Sequence, residues 1–232
     1  MKSIAIITAR GGSKRIPRKN IKNFCGKPII AYSIEAALKS ECFEDVMVST
    51  DDEEIAEISL SYGAEIPFFR SPETSNDYAT TADVINEVLD RYHEVCRDFD
   101  AFCCIYPTAP FVTSTILQEA MHELTLDDVD TVMPVVRFSF PPQRALCISD
   151  GFISFKYPEN ALSRSQDLEP LYHDCGQFYA CRVESFLQSK SIMMPNTKPI
   201  IISEEFVQDI DNLSDWKLAE MKYRLFCSKS GE

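Results

Sequence analysis

The sequence lacks any apolar run long enough to cross a bilayer, and it lacks the features of a secretory leader peptide. The apolar stretch Ser3 to Ala9 is followed at once by Arg10 and a basic run, whereas a leader needs a longer apolar region and a cleavage site. We therefore expect a soluble, cytoplasmic protein with no membrane partner. With 232 residues, of which 45% are hydrophobic, the chain can bury one sizeable core, and we expect a single domain over residues 1–232.

The nine cysteines include no C-x-x-C pair, and their number is odd. Both facts disfavour a disulfide framework or a thiol metal site. Cys103, Cys104 and Cys181 lie within apolar runs that predict buried strands. Because a free cysteine usually packs as a small hydrophobe, we expect structural thiols.

Positive charge is scarce, since 23 Lys and Arg face 36 Asp and Glu, for a net charge of -13. A nucleic-acid-binding domain normally presents a basic face and, for single strands, aromatic stacking residues, so an RNA-binding protein is disfavoured. The exception is the segment Arg10 to Lys27, which holds seven cations and no Asp or Glu. Local positive charge in an acidic protein suits a small polyanion such as a nucleoside triphosphate.

Short apolar runs alternate with longer amphipathic ones, a pattern typical of βαβ units and a mostly parallel sheet. The predicted strands include Ser3 to Ala9, Asp45 to Thr50, Ala64 to Phe68, Ala101 to Tyr106, Asp130 to Val136 and Gln177 to Arg182. The predicted helices include Pro28 to Leu38, Asp51 to Tyr62, Tyr78 to Arg97, Ser114 to Leu126 and Ser214 to Phe226. In such sheets ligands bind at the carboxyl ends of the strands.

The run Arg10 to Asn20 directly follows the first predicted strand. Its two adjacent glycines let the backbone turn and bring N–H groups near phosphate oxygens, while Arg10, Arg15 and Lys19 can neutralise phosphate charge. The sequence lacks both standard phosphate-binding motifs, G-x-x-x-x-G-K-[ST] and G-x-G-x-x-G. On composition alone, a solvated basic turn is the alternative.

A second candidate site lies near the carboxyl terminus, at Gln208 to Asn212. A spacing of two in an extended segment points Asp209 and Asp211 to one side, where they can share a hard cation, while Ile210 faces the core. Mg²⁺ prefers a few carboxylates together with substrate phosphate oxygens, and Mn²⁺ is the alternative ion. The structural alternative is helix capping by Asp211 or Asn212.

The run Ala9 to Asn20 resembles the nucleotide-binding signature of the CMP-sialic acid synthetase family, the acylneuraminate cytidylyltransferases. Further matches follow in the same order at Gly26 to Ile30, Ser49 to Asp52, Arg70 to Pro72, Asp77 to Thr81 and Gln208 to Asn212. The resemblance implies a three-layer α/β/α, Rossmann-like nucleotidyltransferase fold with a mostly parallel mixed sheet. It implies CTP binding by Arg10, Gly11, Gly12, Ser13, Arg15, Lys19, Asn20, Arg70 and Thr81. Without the family, Asp77 is better explained as the N-cap of a helix beginning at Tyr78.

The same resemblance implies a reaction. CMP would pass from CTP to the anomeric hydroxyl of a nine-carbon 2-keto sugar acid, with pyrophosphate released. The catalytic residues would be Arg10, Lys19 and Asp211, and the metal ligands Asp209 and Asp211. A nucleotide-binding module without turnover is the alternative from another class, and the aspartate pair argues against it.

The segments that would select the sugar depart from the sialic acid pattern. Tyr106 and Val112 stand where glutamine and arginine are usual, whereas Phe140 to Leu146 and Tyr172 to Tyr179 resemble the pseudaminic acid branch of the family. N-acetylneuraminic and legionaminic acids are the alternative substrates. The expected sugar contacts are Tyr106, Gln143, Arg144, Arg164, His173, Gln177, Phe178 and Tyr179. Residues 140–169 lack a regular pattern, and the resemblance implies a homodimer in which this segment brings Arg144 or Arg164 to the partner's sugar site.

Overall fold

The computed structural model describes residues 1–230. Its strands are β1 (Ser3–Thr8), β2 (Asn23–Phe24), β3 (Lys27–Pro28), β4 (Asp45–Ser49), β5 (Ala101–Ile105), β6 (Thr131–Arg137), β7 (Leu146–Ser149), β8 (Phe152–Phe155), β9 (Tyr172–Asp174), β10 (Phe178–Arg182) and β11 (Thr197–Ile201). Its α-helices are α1 (Ile29–Ser40), α2 (Glu53–Ser61), α3 (Pro72–Ser75), α4 (Thr81–Glu94), α5 (Ser114–Glu123), α6 (Val183–Ser189) and α7 (Leu213–Ser230).

One mixed sheet organises the molecule, with the strand order β11-β6-β10-β5-β1-β4 and with β9 paired to β6. Strand β1 is parallel to both β4 and β5, and β11 is parallel to β6. Strand β10 is antiparallel to its neighbours β5 and β6. The predicted α/β fold with a mostly parallel mixed sheet is confirmed. Because β10 runs in reverse, its amino end lies beside the carboxyl end of β5.

Helices cover both faces of the sheet. Strand alternation sends Ala5 and Ile7 of β1 towards α1, α2 and α5, and sends Ile4 and Ile6 towards α4 and α6. All four side chains are fully buried. Burying one large aliphatic side chain contributes about 1.5–3 kcal/mol, so these two cores hold the strand ends in fixed positions.

A third apolar cluster ties the loop after β1 to the carboxyl-terminal helix. The ring of Phe24, on the β2–β3 hairpin, packs edge-on against Trp216 of α7, with 5.5 Å between ring centroids. Ile16 and Ile210 are buried in the same cluster. The core position expected for Ile210 is confirmed, and the basic loop and the aspartate segment are held side by side.

The protruding segment has more order than its sequence pattern indicates. Strands β7 and β8 form a two-stranded hairpin outside the main sheet. Its apolar side chains face outward, with Ile148 76% and Phe152 79% exposed, and Leu162 beyond it is 98% exposed. Within residues 1–230, no helix combines the length and apolar character needed to cross a membrane.

Two further sequence expectations have different outcomes. Cys103, Cys104 and Cys181 are buried in strands, as expected. The strand expected at Ala64 to Phe68 is reduced to one bridge between Glu65 and Met47, because the chain turns away after a single pairing.

Candidate active site

A cavity of about 690 Å³ opens at the carboxyl ends of β1 and β5. Four parts of the chain form its walls: the basic loop after β1, the segment from Arg70 that leads into α4, the loop after β5 from Tyr106 to Thr108, and the segment before α7. This is the edge of the sheet at which the strand pattern predicts a ligand site. Of the residues expected to bind nucleotide, the lining includes Arg10, Gly12, Ser13, Arg15, Lys19, Asn20, Arg70 and Thr81.

Backbone contacts fix the shape of the basic loop. The Gly11 N–H donates to Asp51 Oδ1 at 2.8 Å, and the buried Asn20 donates its Nδ2 to the carbonyl of Arg10 at 2.9 Å. A Cβ atom on Gly11 would lie 2.8 Å from the carboxylate of Asp52, a distance that forces a shift. Close approach of the β4–α2 turn therefore favours glycine at this position, since a larger residue would have to displace the Asp52 side chain.

The cations of the loop face carboxylates on the other walls. Arg10 and Lys14 both pair with Asp77, at 2.9 and 2.5 Å, and Arg15 Nη1 lies 2.8 Å from Asp211 Oδ2. Sequence reasoning missed the first two pairs, because Asp77 has the features of a helix cap. The cap of α4 is Thr80, in a capping box with Asp83, so the capping interpretation of Asp77 is wrong.

Two cations of the basic segment serve the structure instead. Arg18 pairs with Asp52 and Glu54 at the start of α2, with Arg18 Nη2 2.9 Å from Asp52 Oδ1. Lys27 pairs with Glu35 at 2.6 Å and lies over the ring of Tyr32. Lys22 also lies away from the cavity, over the ring of Trp216. The charge that the basic segment presents to the cavity therefore comes from Arg10, Lys14, Arg15 and Lys19.

Lys19 is the most enclosed cation of the loop. Its Nζ donates to the carbonyl of Ile210 at 2.8 Å, which links the basic loop to the aspartate segment. Burial lowers the pKa of Lys19 below its ordinary value, and the nearby Asp211 and Asp209 carboxylates offset part of that effect. The hydrogen bond to Ile210 fixes the Lys19 side chain at the cavity wall.

Arg70 is held rigidly at the wall opposite the loop. Its side chain is buried, with Nε 3.0 Å from Ser49 Oγ and Nη2 2.6 Å from the Ser49 carbonyl. Burial lowers the pKa of Arg70, while Asp51 and Glu87 oppose that shift. These bonds place a guanidinium at a defined position without using all five of its donors.

Tyrosine and threonine hydroxyls meet where β5 and α4 approach each other. Thr81 Oγ1 lies 3.2 Å from the hydroxyl of Tyr106, and the rings of Tyr106 and Tyr179 pack edge-on at 5.7 Å. The Tyr179 hydroxyl donates to Asp174 Oδ2 at 2.5 Å. Burial, with the Asp174 carboxylate as the next cause, raises the pKa of Tyr179. Asp174 was not among the predicted site residues.

The other expected sugar contacts of this region lie in three different environments. Phe178 is fully buried in the core, because alternation along β10 points it to the face opposite Tyr179, so its expected sugar contact is wrong. Gln177 is buried and donates to the Phe206 carbonyl at 2.7 Å. His173 is exposed and lines an adjoining cavity of about 360 Å³.

Gln143, Arg144 and Arg164 lie in the protruding segment and are not part of the main cavity's lining. Gln143 Nε2 donates to the Glu169 carbonyl at 2.8 Å, and Arg144 Nη1 lies 3.4 Å from Ser165 Oγ. The expected clamp on a sugar carboxylate is not assembled within one chain.

The two aspartates line different cavities. Asp211 is partly exposed at the main cavity, and Asp209 is exposed at the adjoining one beside His173. Asn212 caps α7, because its Oδ1 accepts from the backbone N–H groups of Ser214 and Asp215. The Asp211 carboxylate is thus not used in capping. In the part of the chain that the structure describes, no group of three or more His, Cys, Asp or Glu is placed to hold a metal.

Comparison with known proteins decides the family. The family model described as Cytidylyltransferase matches residues 4–198. The chain belongs to this cytidylyltransferase family. The pseudaminic acid cytidylyltransferase of Campylobacter jejuni is 39% identical to this family member over 226 residues, which cover 97% of both chains. The CMP-N,N'-diacetyllegionaminic acid synthase of Legionella pneumophila is 36% identical and covers 95% of both chains.

Solved structures confirm the nucleotidyltransferase fold of this cytidylyltransferase. A CMP:2-keto-3-deoxy-manno-octonic acid synthetase complexed with CTP superposes with a TM-score of 0.69 at 17% identity, over 97% of this chain and 99% of its own. The 4-diphosphocytidyl-2C-methyl-D-erythritol synthase of Anaerococcus prevotii gives a TM-score of 0.62 at 14% identity, over 96% and 98%.

Proposed function

We propose that the protein transfers CMP from CTP to the anomeric hydroxyl of pseudaminic acid and releases pyrophosphate. The observation that carries the proposal is a cavity whose basic loop faces Asp211, in a chain similar along 97% of its length to a pseudaminic acid cytidylyltransferase. One cytidylyltransferase domain would span residues 1–232.

The triphosphate of CTP lies along the basic loop in this proposal. Arg10, Lys14 and Arg15 are paired with exposed carboxylates, and exposed ion pairs contribute only about 0–1 kcal/mol each, so phosphate oxygens displace them readily. Gly12 and Ser13 line the cavity, where the Gly12 backbone N–H and the Ser13 hydroxyl can donate to the phosphates. The cytosine lies beside Arg70 and Thr81.

The reaction is an in-line attack of the sugar hydroxyl on the α-phosphorus. Such transfers depend on alignment and on neutralising charge rather than on covalent catalysis. Arg10 and Lys19 stabilise the charge that develops on the phosphate oxygens and the departing pyrophosphate. Lys19 suits this task because its bond to the Ile210 carbonyl fixes its ammonium group before the substrate binds.

Cytidylyltransferases of this kind generally use a divalent metal ion. The donor set fits Mg²⁺ or Mn²⁺, since Asp211 offers a partly exposed carboxylate at the cavity and the substrate's phosphates supply further oxygens. When bound, such an ion adds positive charge where the phosphate oxygens gather negative charge. Asp209 is the second proposed ligand, and a side-chain rotation towards the main cavity is needed for the two to share one ion.

The sugar lies between the main cavity and the adjoining one, which share the carboxyl edge of the sheet. Tyr106 borders the first, and His173 borders the second. Gln177 supports this wall through its bond to the Phe206 carbonyl. The hydroxyl of Tyr179 donates to Asp174, so Tyr179 contributes to sugar binding through the shape of the cavity wall.

The carboxylate of the sugar is bound by an arginine from a second subunit in this proposal. The exposed apolar side chains of the β7–β8 hairpin support a homodimer, because an apolar surface of this kind is stabilised by burial against another chain. Arg144 and Arg164 lie in the same protruding segment. A dimer therefore supplies the clamp that one chain lacks.

A legionaminic acid is the second candidate acceptor, because the Legionella pneumophila synthase covers 95% of this chain at 36% identity. The test is pyrophosphate release from CTP with a panel of pseudaminic, legionaminic and N-acetylneuraminic acids. Release with Mg²⁺, its loss with EDTA and its return with Mg²⁺ or Mn²⁺ are expected. CTP binding without turnover on any of the three acids would support a nucleotide-binding module instead.

A further inference from the structure

Glu87 of α4 holds the segment that follows Arg70, although Glu87 is not part of the main cavity's lining. Its Oε1 accepts from the backbone N–H of Ser71 at 2.8 Å, and its Oε2 accepts from the Ser71 hydroxyl at 3.1 Å. The same Oε2 also accepts from the hydroxyl of Thr74. One carboxylate therefore takes three hydrogen bonds from a single short segment of the chain.

The segment depends on this anchor because its own structure is weak. Helix α3 has only four residues, and a helix this short is marginal without tertiary contacts. Its N-cap residue, Ser71, makes no side-chain capping bond. Helix α4, in contrast, has a capping box and buries Ile85, Val88 and Leu89 in the core. Glu87 is therefore the fixed partner, and residues 71–75 are the part that it positions.

The segment carries two residues of the main cavity's wall, Arg70 and Thr74. Strand β4 and the turn after it hold Arg70 from one side. The Arg70 backbone N–H donates to the Thr50 carbonyl at 2.8 Å, and its guanidinium is bonded to Ser49. Glu87 holds the next residue, Ser71, from the other side. The wall at Arg70 is thus fixed between β4 and α4.

We propose that Glu87 is a positioning residue for the nucleotide, which acts through Ser71 and Thr74 to place the Arg70 wall against the base. The inference rests on the proposed function, in which the cytosine of CTP lies beside Arg70 and Thr81. Without Glu87, the Ser71 N–H loses its acceptor, and the segment shifts to find another. A binding group displaced by about 1 Å loses much of its effect, so CTP binds more weakly.

Two substitutions separate the hydrogen bonds of Glu87 from its charge. The charge has an effect of its own, because burial lowers the pKa of Arg70 and the Asp51 and Glu87 carboxylates oppose that shift. Glu87→Gln removes the charge but keeps an acceptor for the Ser71 N–H, and its amide nitrogen can donate to both hydroxyls, which accept as well as donate. Glu87→Asp keeps the charge, but its side chain is one CH₂ group too short to make the same bonds.

The experiment measures the dissociation constant of CTP by calorimetry, and kcat and both KM values by pyrophosphate release. Glu87→Ala and Glu87→Asp should each weaken CTP binding by at least about tenfold, whereas Glu87→Gln should stay within about threefold of the wild type. The kcat at saturating CTP and the KM for the sugar acid should change by less than about threefold in all three variants, because the segment borders the base.

Asp90→Ala is the matched control. Asp90 lies three residues further along α4 and borders the same cavity of about 510 Å³ as Glu87. Its Oδ2 accepts from Asn86 and not from the segment 71–75. This variant also removes one carboxylate from α4, and it should bind CTP within about threefold of the wild type.

Inorganic triphosphate distinguishes a local effect from a loosened fold. It carries the phosphates without the base, so Glu87→Ala should bind it within about threefold of the wild type. Equal weakening towards CTP and inorganic triphosphate would overturn the proposal. So would a Glu87→Gln variant that binds CTP as weakly as Glu87→Asp, because the bonds to the segment are kept in the first and lost in the second. If Glu87→Ala does not fold, as judged by circular dichroism, the comparison of these two variants decides the question.

Calorimetry without sugar acid separates this inference from the proposed function. A wild type that binds CTP but releases no pyrophosphate with any of the three acids contradicts the proposed function. The loss of CTP affinity in Glu87→Asp and its retention in Glu87→Gln would still appear in the dissociation constants. Equal CTP affinities in the wild type and Glu87→Asp contradict the inference whether or not turnover occurs.

Discussion

Arg15 Nη1 lies 2.8 Å from Asp211 Oδ2, so the loop after β1 and the segment before α7 meet at the main cavity, which both of them line. Both side chains are substantially exposed, 68% and 42%, and the pair is therefore weak. A phosphate group can replace Asp211 as the partner of Arg15, which leaves the carboxylate available to a cation. The same contact thus marks the proposed position of the phosphates and that of the metal.

Asp211→Asn should abolish turnover and leave CTP binding measurable. We expect pyrophosphate release to fall by at least about 100-fold, because loss of even an outer partner of a metal site costs about 10- to 100-fold. Asp209→Asn should have a similar or weaker effect, since Asp209 lines the adjoining cavity. Near wild-type release by both variants at limiting Mg²⁺ would contradict the metal assignment.

Thr80→Ala should destabilise the protein, and Asp77→Ala should not. Thr80 and Asp83 form the capping box of α4, and loss of an N-cap side chain lowers the free energy of unfolding by about 1 kcal/mol. Among the described residues Asp77 makes only exposed ion pairs, so its removal should leave that free energy close to the wild-type value. Urea denaturation of the two variants measures the difference. Equal losses would restore Asp77 as a cap.

Arg18→Gln should lower the melting temperature at neutral pH but not in acid. The hydrogen bond from Arg18 holds the pKa of Asp52 below its ordinary value of 3.8. A depressed pKa contributes stability that is complete above 3.8 and is lost as the pH falls through the lower folded-state value. The difference in melting temperature between the variant and the wild type should therefore shrink below about pH 3.8. Scanning calorimetry across a pH series measures it. A gap that is constant with pH would mean that Arg18 acts through packing alone.

The sequence predicted the sheet and the basic loop well, because both depend on local patterns. Alternating apolar runs define β1, β4 and β5, and the glycines and cations follow β1 directly. The pairing of Arg10 with Asp77 was not predictable, since it depends on a fold-dependent contact between distant positions. Phe178 was misplaced for a different reason. Alternation shows that Phe178 and Tyr179 face opposite sides, but not which side is the cavity.

The contacts of Thr81 with Tyr106 and of Tyr179 with Asp174 had no signal in the sequence. They join α4 to β5 and β10 to β9, which only the fold brings together. The exposed hairpin β7–β8 was missed as well, because its apolar residues lie at a surface where the usual pattern of burial does not apply.

Pseudaminic acid should be used at least tenfold more efficiently, in kcat/KM, than N-acetylneuraminic acid. The cavity is bordered by Tyr106, where the sialic acid pattern has glutamine, and the chain is similar to a pseudaminic acid enzyme along nearly its whole length. Tenfold corresponds to about 1.4 kcal/mol of differential transition-state binding, which one misplaced polar contact provides. Competition between the two acids for limiting CTP measures the ratio. A preference for N-acetylneuraminic acid would change the substrate but not the reaction.

Mixing two inactive variants tests whether an arginine acts across the dimer. Arg164→Ala and Asp211→Asn should each be inactive alone, and co-refolding should restore up to about a quarter of the wild-type activity per subunit, because half of a random mixture is mixed dimer with one intact site of its two. Mass spectrometry of differently tagged chains confirms that mixed dimers form. No recovery in proven mixed dimers would exclude Arg164 from the partner's site, and the same mixture made with Arg144→Ala tests the other candidate.

The reversed direction of β10 affects where the proposed nucleotide-binding and sugar-binding segments lie along the chain. In an all-parallel sheet, the strand between β5 and β6 would deliver its outgoing loop to the ligand edge, whereas here the incoming loop, residues 175–177, arrives there. The segments at the proposed nucleotide lie before Thr81, apart from the aspartates, and those at the proposed sugar lie between Tyr106 and Tyr179. Replacing one continuous stretch of gene would thus exchange the side chains proposed to face the acceptor, and the contact of Tyr106 with Thr81 ties that stretch to the proposed nucleotide side.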